Sequence, residues 1–449
     1  MQAITLYDYF LLPFYLVIFY FIVRKKARKY KGTPLKHFFM LAFWLHMFGA
    51  FVFAMLMWYY YGYGDTFGYY QGGDFIRQEI IKDISSIKYL FYSGQDLYRT
   101  ALSLGYVDRI PLTMPNDGNA LVMKVSAVLS FFSFNQYLII SLFFGFIAFI
   151  GTWKLFYVMQ ELNGPSHLRL LGYATIATPS LWLWGSGLSK EPLCIGSLGM
   201  AVYLIHKMFI RKQFSFRDLL LLLLLFYFIT VIKGYITGIF IISLLVVILY
   251  RFILTIKNIV LRIATMLAFV FIVFFSLLFI DTARYINEMI LYSYTQIENF
   301  RSGYDSVEDL DGSKATFSIG DLNPTLSSLV LKSPEVIFSC LFRPFLWESR
   351  KVIIFFAGLE AFVVFLATLI ILLRTKFLGF FYYVFNDPFR LFCFIYSMLF
   401  ALLIGYTTFN FGTMVRYKIL FLPFYLFLLV NILTAIDSKK KALPEEDVE

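Results

Sequence analysis

Cysteine and histidine are scarce in this sequence of 449 residues, which contains three cysteines and four histidines. The cysteines are far apart and mostly lie in apolar runs, so they indicate neither a disulfide framework nor a zinc site. The histidines form no pair at the spacing that metal ligands adopt. We therefore expect no metal bound by these side chains, which are Cys194, Cys340, Cys393, His37, His46, His167 and His206.

Charged residues are also few. They make up 15% of the chain, against about 25% in soluble domains, while 60% of the residues are hydrophobic and the mean hydropathy is +0.74. This composition excludes an ordinary soluble domain and indicates an integral membrane protein. Basic residues in short loops on one side of a membrane explain the net charge of +11. Because no nucleic-acid motif accompanies that charge, nucleic acid is not an expected partner.

Long apolar runs predict the fold. A helix needs ~20 apolar residues to cross a bilayer. The runs therefore predict an all-α polytopic membrane protein with about eleven transmembrane helices, in a single multi-span domain, residues 1–436, followed by a polar tail, residues 437–449. The predicted spans are 9–23, 38–60, 137–157, 168–183, a fifth that ends near 206–212, 219–232, 236–250, 267–280, 352–373, 391–404 and 419–433.

The charges beside these runs predict the orientation. Asp8 precedes the first run, and a stretch rich in Lys and Arg, residues 24–31, follows it, so the N-terminus is expected outside and the C-terminal tail in the cytoplasm. Two long external segments result, at about 61–134 and 281–351. Mixed apolar and polar stretches within them predict amphipathic helices on the membrane surface. These stretches are 77–98, 120–134 and 327–346, the last interrupted by Pro334.

A segment rich in Gly, Tyr and Asp follows the second predicted span, at 59–74. Its glycines allow tight turns and close approach of a ligand, and Asp65 and Asp74 are the first acids after a long apolar run. A carboxylate at the edge of the bilayer can act as a general base toward a hydroxyl or bind a cation. The plain alternative is a Gly-rich turn with solvated acids and interfacial tyrosines. His46, within the second span, is interpreted as a satisfied interior histidine.

A tight external turn is predicted at 185–192, where Pro192 suits the first turn of the following helix. Exposed amides at that helix start, with Lys190 beside them, would favour an anion such as phosphate. Glu191 could pair with Lys190 or favour the helix dipole. The alternative is a short hairpin with a neutralising ion pair. Lys233, in a very short external turn, raises the same question about an anionic partner.

Two later external segments carry unexpected cations. Arg343 lies in an apolar, aromatic stretch, where an unpaired charge is costly and a guanidinium suits phosphate or carboxylate. The alternative for Arg343 is snorkelling or a pair with Glu348. Arg416 and Lys418 precede the last span and break the expected charge asymmetry, which favours an anionic partner, although an ordinary loop or contact with lipid headgroups would account for them too. All four segments are predicted on the same face.

At these residues the sequence resembles the GT-C class of membrane glycosyltransferases. An Asp in the first large external loop, an amphipathic external helix after it and a later basic pocket carry this resemblance. The wider pattern is similar to polytopic proteins of bacterial surface-polysaccharide loci, which include Wzy-like polymerases. Its motifs, which are short but spread over most of the chain, are Gly64-Asp65-Thr66 with Tyr69-Tyr70, the run from Ser186 to Glu191, Arg343-Pro344-Phe345 and Arg416-Tyr417.

The resemblance implies an enzyme of surface glycan assembly that uses a polyprenyl-phosphate-linked sugar donor at the outer face of the bacterial cytoplasmic membrane. Asp65 would deprotonate the acceptor hydroxyl, with Asp74 as the alternative base. The site for the lipid phosphate would comprise Lys190, Glu191, Lys233, Arg343 and Arg416. The expected partners are this donor, a glycan or lipid acceptor, and membrane lipids. No cofactor is implied, although a divalent cation is compatible with the site.

Other functions stay open at this point. A Wzy-like repeat-unit polymerase would rely on its arginines and need no Asp base. A transporter or lipid flippase is disfavoured because the sequence has no paired broken helices in matching halves and few charges within its spans. A non-catalytic assembly subunit would also fit. The sugar, the acceptor and the oligomeric state are not encoded in any motif of the sequence.

Overall fold

The structure, a computed structural model, describes residues 3–106, 110–258, 260–262, 264–265, 326–349, 351–408 and 410–442. Over these ranges the chain forms helices and no strand, as an all-α membrane fold requires. The chain divides into two compact units, Met1–Thr237 and Gly238–Glu449.

The first unit contains helices α1 to α9 and the first part of α10. Their bounds are α1 Leu6–Ala27, α2 Leu35–Met55, α3 Asp65–Lys82, α4 Gly94–Ser103, α5 Asp117–Phe132, α6 Tyr137–Asn163, α7 Leu168–Ile176, α8 Pro179–Trp184, α9 Lys190–Ile205 and α10 Phe216–Leu254. Short π-helical turns extend α2 and α9, at Leu56–Tyr61 and His206–Ile210. 3₁₀ segments follow α1 and α3, at Arg28–Tyr30 and Ile84–Phe91.

The core of this unit is built around α6, which packs against α2 and α9. Glycines allow α6 and α9 to approach closely, since a Cβ added at Gly199 would overlap the carbonyl group of Gly151. A Cβ added at Gly151 would likewise overlap the backbone of Gly196. Small residues at a crossing let the backbones of membrane helices come together. This close crossing holds α9 in place, and the candidate site begins at the N-terminus of α9.

A buried acid joins the starts of α1 and α6. Asp8 is 0% exposed. Its carboxylate accepts hydrogen bonds from the backbone N–H of Thr5 at 2.8 Å and from the N–H of Leu138 at 2.9 Å. It thereby satisfies amides at the starts of two helices, which have no acceptor within their own helix. Asp8 is a marker of orientation in the sequence, and the structure gives it this structural role as well.

The segment after α2, which the sequence predicts to be external, is helical, but its elements differ from the predicted ones. The helix predicted at 77–98 is wrong in its bounds, because α3 begins earlier, at Asp65, and ends before residue 98. Asp83 has an extended backbone (φ −145°, ψ 116°), and its carboxylate accepts the N–H of Ser85 at 2.9 Å. This cap ends α3 and starts the 3₁₀ segment. The helix predicted at 120–134 is confirmed as α5, which packs against α3.

A break interrupts α10 at Lys233, where the backbone leaves the helical region (φ −151°, ψ 79°). The hydroxyl of Thr230 donates a hydrogen bond to Thr237 Oγ1 at 3.0 Å. Residues seven apart are separated by ~10 Å along a straight helix, so the chain bends sharply between them. The bend falls where the sequence predicts an external turn, between the spans at 219–232 and 236–250.

The second unit contains the rest of α10 and a further group of helices. Their bounds are α11 Leu326–Phe342, α12 Val352–Thr375, α13 Phe377–Phe385, α14 Pro388–Thr407, α15 Phe411–Lys418 and α16 Leu422–Ala442. Pro334 lies inside α11, so the interruption predicted there is wrong. The polar tail predicted from residue 437 begins within α16, and residues 443–449 lie outside the described part of the chain.

Eight helices of the described residues are long and apolar enough to cross a membrane, so the predicted eleven are not confirmed. The span predicted at 168–183 is divided between α7 and α8, because Pro179 starts a new helix. The spans at 219–232 and 236–250 belong to the one interrupted helix α10. The span at 267–280 lies outside the described residues, as does most of the external segment at 281–351.

Candidate functional site

Asp65 is the first residue of α3 and is exposed. The preceding Gly64 has φ +136°, a conformation that L side chains rarely adopt, and it turns the chain from the end of α2 into α3. Thr66 anchors this start, because its hydroxyl is hydrogen-bonded to the Tyr137 hydroxyl at 2.8 Å. Asp65 is therefore an accessible carboxylate at an anchored helix end.

Asp74, the second predicted acid, is buried and engaged by several partners. Its carboxylate accepts hydrogen bonds from Arg77 at 2.8 and 3.2 Å and from Gln78 at 2.7 Å, both on α3. It also accepts one from Asn135, in the connection before α6, at 2.9 Å. These contacts give Asp74 a role in holding α3 against the start of α6. The geometry favours Asp65 over Asp74 as a base.

Lys190 begins α9, and its side chain is half-buried. Ser189, the N-cap residue, makes no side-chain cap bond to the helix. Its Oγ is buried and has no hydrogen-bond partner among the residues that the structure describes. The first amides of α9 thus keep the capacity to bind an anion that the sequence predicts for this helix start.

Glu191 is the second residue of α9, and it is 0% exposed. It pairs with Lys233, which is 8% exposed and whose Nζ lies 2.8 Å from Glu191 Oε1. This pair ties the break in α10 to the first turn of α9. Two buried charges in contact depend strongly on each other, because removal of one leaves the other uncompensated.

The charges of Asp65, Glu191 and Lys233 all act on the ammonium of Lys190. The first unit therefore brings together four predicted site residues, at the starts of α3 and α9 and at the break in α10. Asp74 lies farther along α3 in its own network. Arg343 and Arg416 belong to the second unit.

The turn that leads into α9 is held from inside the helix bundle by His46. Its Nδ1 lies 2.6 Å from Ser186 Oγ, and its Nε2 lies 3.0 Å from Thr152 Oγ1. All three side chains are buried, so the prediction of a satisfied interior histidine is confirmed. Because Ser186 stands shortly before Ser189, these bonds help to fix the start of α9.

In the second unit, Arg343 is half-buried and pairs with Glu348. The sequence predicts this ion pair as the alternative to a phosphate-binding role for Arg343. Its Nε lies 3.1 Å from Glu348 Oε2, and its Nη2 bonds the other carboxylate oxygen. The rings of Phe345 and Phe411 lie 5.7 and 5.6 Å from the guanidinium carbon, within the range of a cation–π contact. Phe411 begins α15, so this contact joins Arg343 to the helix that carries Arg416.

Lys418, at the end of α15, is a buried cation outside the predicted phosphate site. It is 5% exposed, and its Nζ donates to the carbonyl of Arg343 and, at 3.5 Å, to that of Leu341. These carbonyls lie at the C-terminal end of α11, where unpaired carbonyls and the helix dipole favour a cation. Burial lowers the pKa of Lys418 to about 8.

This low pKa predicts how stability changes with pH. The folded chain releases the Lys418 proton near pH 8, whereas an unfolded lysine has a pKa of ~10.4. Between these values the unfolded state binds more protons, so the free energy of unfolding should rise with pH by roughly 1 kcal/mol per unit. Below pH 8 both states are protonated, and the contribution is constant. Lys418→Met should reduce the slope of the rise by roughly 1 kcal/mol per unit, measured by denaturant unfolding in detergent micelles.

Lys88→Met, at an exposed lysine of the first unit, is the control and should leave the rise intact. Parallel profiles for the parent and Lys418→Met between about pH 8 and 10 would contradict the low pKa of Lys418.

The described residues contain no group of three His, Cys, Asp or Glu side chains that could hold a metal ion. All three cysteines are buried, free thiols. Comparison of the chain with protein-family models, with curated proteins and with solved structures finds no match.

Proposed function

We propose that this chain is a membrane glycosyltransferase of bacterial surface glycan assembly. It would use a polyprenyl-phosphate-linked sugar donor at the outer face of the cytoplasmic membrane. The observation that carries the proposal is the placement of an accessible carboxylate, Asp65, within electrostatic reach of Lys190 at the start of α9. The acid and the cation come from distant parts of the sequence, and the fold places both at helix N-termini.

Sugar transfer to a hydroxyl needs a base and a site for the departing phosphate. The acceptor oxygen attacks the anomeric carbon while the bond from that carbon to the lipid phosphate breaks. Asp65 takes the hydroxyl proton, and the phosphate leaves with the bonding electrons. Negative charge grows on the phosphate, where fixed amides and cations stabilise it. Lys190 and the first amides of α9 supply such groups.

Glu191 and Lys233 support this site by position. The carboxylate of Glu191 repels phosphate. The Lys233 ammonium is already bonded to this carboxylate at 2.8 Å. The pair instead holds the start of α9, where Lys190 stands. Arg343 and Arg416 stay predictions as phosphate ligands, and the present proposal does not depend on them.

Binding of geranylgeranyl phosphate to the purified protein tests the phosphate site without knowledge of the sugar. Lys190→Met should weaken this binding about tenfold or more, since a hydrogen bond to a charged group contributes about 1.5–3 kcal/mol. Calorimetric titration in an uncharged detergent measures the affinity.

The matched control is Lys124→Met, at another half-buried lysine, whose Nζ bonds the Tyr92 carbonyl. It should bind as the parent does. A parent protein that does not bind the lipid phosphate, or equal losses in both variants, would remove the phosphate site.

A lipid flippase is the second candidate, favoured by the break in α10 at a buried, paired lysine. Discontinuous helices and buried charges are typical of transporter substrate sites. Reconstituted vesicles separate the two functions. A flippase moves a fluorescent lipid phosphate between leaflets and leaves it intact, whereas a transferase releases free lipid phosphate and a glycosylated acceptor.

A further inference from the structure

A lysine lies within the length of α6, away from the candidate site. Lys154 stands 17 residues after Tyr137, which corresponds to about 26 Å along the helix from the start that anchors α3. Its side chain is half-buried, and its ammonium lies 3.6 Å from the centroid of the Tyr203 ring on α9. A cation inside a membrane helix is costly, and such residues usually serve a function.

Four further cations repel the ammonium of Lys154. They are Lys26, in the last turn of α1, Lys29, in the 3₁₀ segment that follows it, and Lys207 and Arg211, just after α9. We call these five residues the basic cluster. The cluster brings the ends of α1 and α9 close to one half-buried charge within α6.

Two acids neutralise part of the basic cluster. Asp218 pairs with Lys207 at 2.6 Å, and Glu161 pairs with Arg211, whose Nε lies 3.1 Å from the carboxylate. In the ranges that the structure describes, no acidic side chain pairs with the other three members. The basic cluster therefore keeps an excess of positive charge over these acids.

Four aromatic side chains pack together beside Lys154 and Arg211. They are Tyr30, Trp153, Tyr157 and Tyr203. The ring centroids of Tyr30 and Trp153 are 5.1 Å apart, and those of Tyr157 and Tyr203 are 6.2 Å apart. Arg211 Nη2 donates to the Tyr157 hydroxyl at 3.0 Å, and Trp153 Nε1 donates to the Tyr30 hydroxyl at 3.2 Å. These packed rings connect Arg211 with Lys154.

We propose that the basic cluster binds a phosphate group, carried either by the headgroup of an anionic lipid or by a soluble phosphorylated compound. The positive-inside rule accounts for lysines in loops beside membrane helices, but Lys154 lies in the helix itself and faces four like charges. A phosphate neutralises this excess and accepts charge-assisted hydrogen bonds from several cations. Basic pockets between the ends of membrane helices bind lipid headgroups in this way.

The basic cluster is distinct from the proposed transferase site and does not depend on it. It lies toward the end of α6 that is opposite Tyr137, the residue whose hydroxyl anchors the start of α3. In the orientation that the loop charges predict, this is the cytoplasmic end, where anionic headgroups and soluble phosphates are both available.

Thermal unfolding of the purified full chain in an uncharged detergent tests the basic cluster with two probes, dioleoyl phosphatidylglycerol and inorganic pyrophosphate. A bound probe raises the Tm of the parent protein by mass action. Lys154→Met keeps the side-chain bulk and should weaken the apparent affinity for the effective probe about fivefold or more. Lys124→Met, whose partner is the Tyr92 carbonyl, should respond as the parent does.

The two probes distinguish the sources of phosphate. A rise in Tm with the lipid alone assigns a headgroup, and a rise with pyrophosphate alone assigns a soluble ligand. Without either probe, Lys154→Met should have a Tm at or above that of the parent, because the variant lacks a repelled charge. The proposal is overturned if neither probe raises the parent Tm, or if Lys154→Met retains the full response to the probe.

Discussion

Replacement of Asp65 by asparagine is expected to lower the rate of sugar transfer by about 10²–10⁴-fold, the range that a positioned general base contributes. The carboxamide keeps the size of the side chain but cannot accept the hydroxyl proton. Asp65 is exposed, and its neighbour Thr66 supplies the bond that anchors α3 to Tyr137, so the variant should fold as the parent does. Turnover of a polyprenyl-phosphate-linked donor and the Tm in the same detergent measure the two effects.

Asp96→Asn is the matched control for this experiment. Asp96 is also exposed and lies in the first turn of a helix, α4, so its variant should keep the parental rate. An Asp65→Asn protein that transfers sugar at the parental rate would remove Asp65 from the mechanism. If substitution of Arg343 or Arg416 then abolished turnover, a Wzy-like polymerase would be the better assignment.

The sequence alone does not distinguish Asp65 from Asp74, because both follow the second span in one Gly- and Tyr-rich segment. The difference between them arises from contacts. Arg77 and Gln78 reach Asp74 from the next turn of α3, at the i+3 and i+4 spacing that helix geometry brings together. The sequence predicts a helix that begins only at residue 77, so it does not reveal that Asp74 shares a helix with Arg77 and Gln78. Asn135 comes from a distant connection that no local pattern predicts.

Membrane helices are the part of the fold that the sequence predicts well, because an apolar run of sufficient length acts locally. The runs at 38–60 and 137–157 correspond to α2 and α6 within a few residues. The run at 168–183 does not form one helix, although the sequence contains the residue that interrupts it, Pro179. Pro179 lacks an N–H and restricts the residue before it, and these properties end one helix and start another.

Side-chain partners are the part that the sequence predicts poorly, since it reveals which groups need a partner but not where the partner stands. The sequence predicts that Glu191 pairs with its neighbour Lys190 or favours the helix dipole, whereas the fold supplies Lys233 from a different helix. The sequence predicts a satisfied His46, and Ser186 provides one partner from far along the chain. Each pair follows from helix packing, which depends on the whole unit.

Removal of one partner of the Glu191–Lys233 pair is expected to lower the free energy of unfolding by about 3–5 kcal/mol. Glu191→Gln leaves the ammonium of Lys233 buried without its counter-charge, and Lys233→Met leaves the carboxylate of Glu191 in the same condition. Denaturant titration in a mild detergent measures the free energy of unfolding.

The double variant, Glu191→Gln with Lys233→Met, should recover most of this stability, because neither ion then needs to be desolvated. Lys82→Met, in the more exposed pair with Glu79 at 2.7 Å, should cause a much smaller change. Single variants as stable as the parent would show that the pair does not hold α9 to α10.

The double variant also shows whether Glu191 and Lys233 position the start of α9 or contact the phosphate directly. If lipid-phosphate binding returns with stability, Glu191 and Lys233 act by holding the start of α9, whereas binding that stays weak in a stable protein places Lys233 on the phosphate itself.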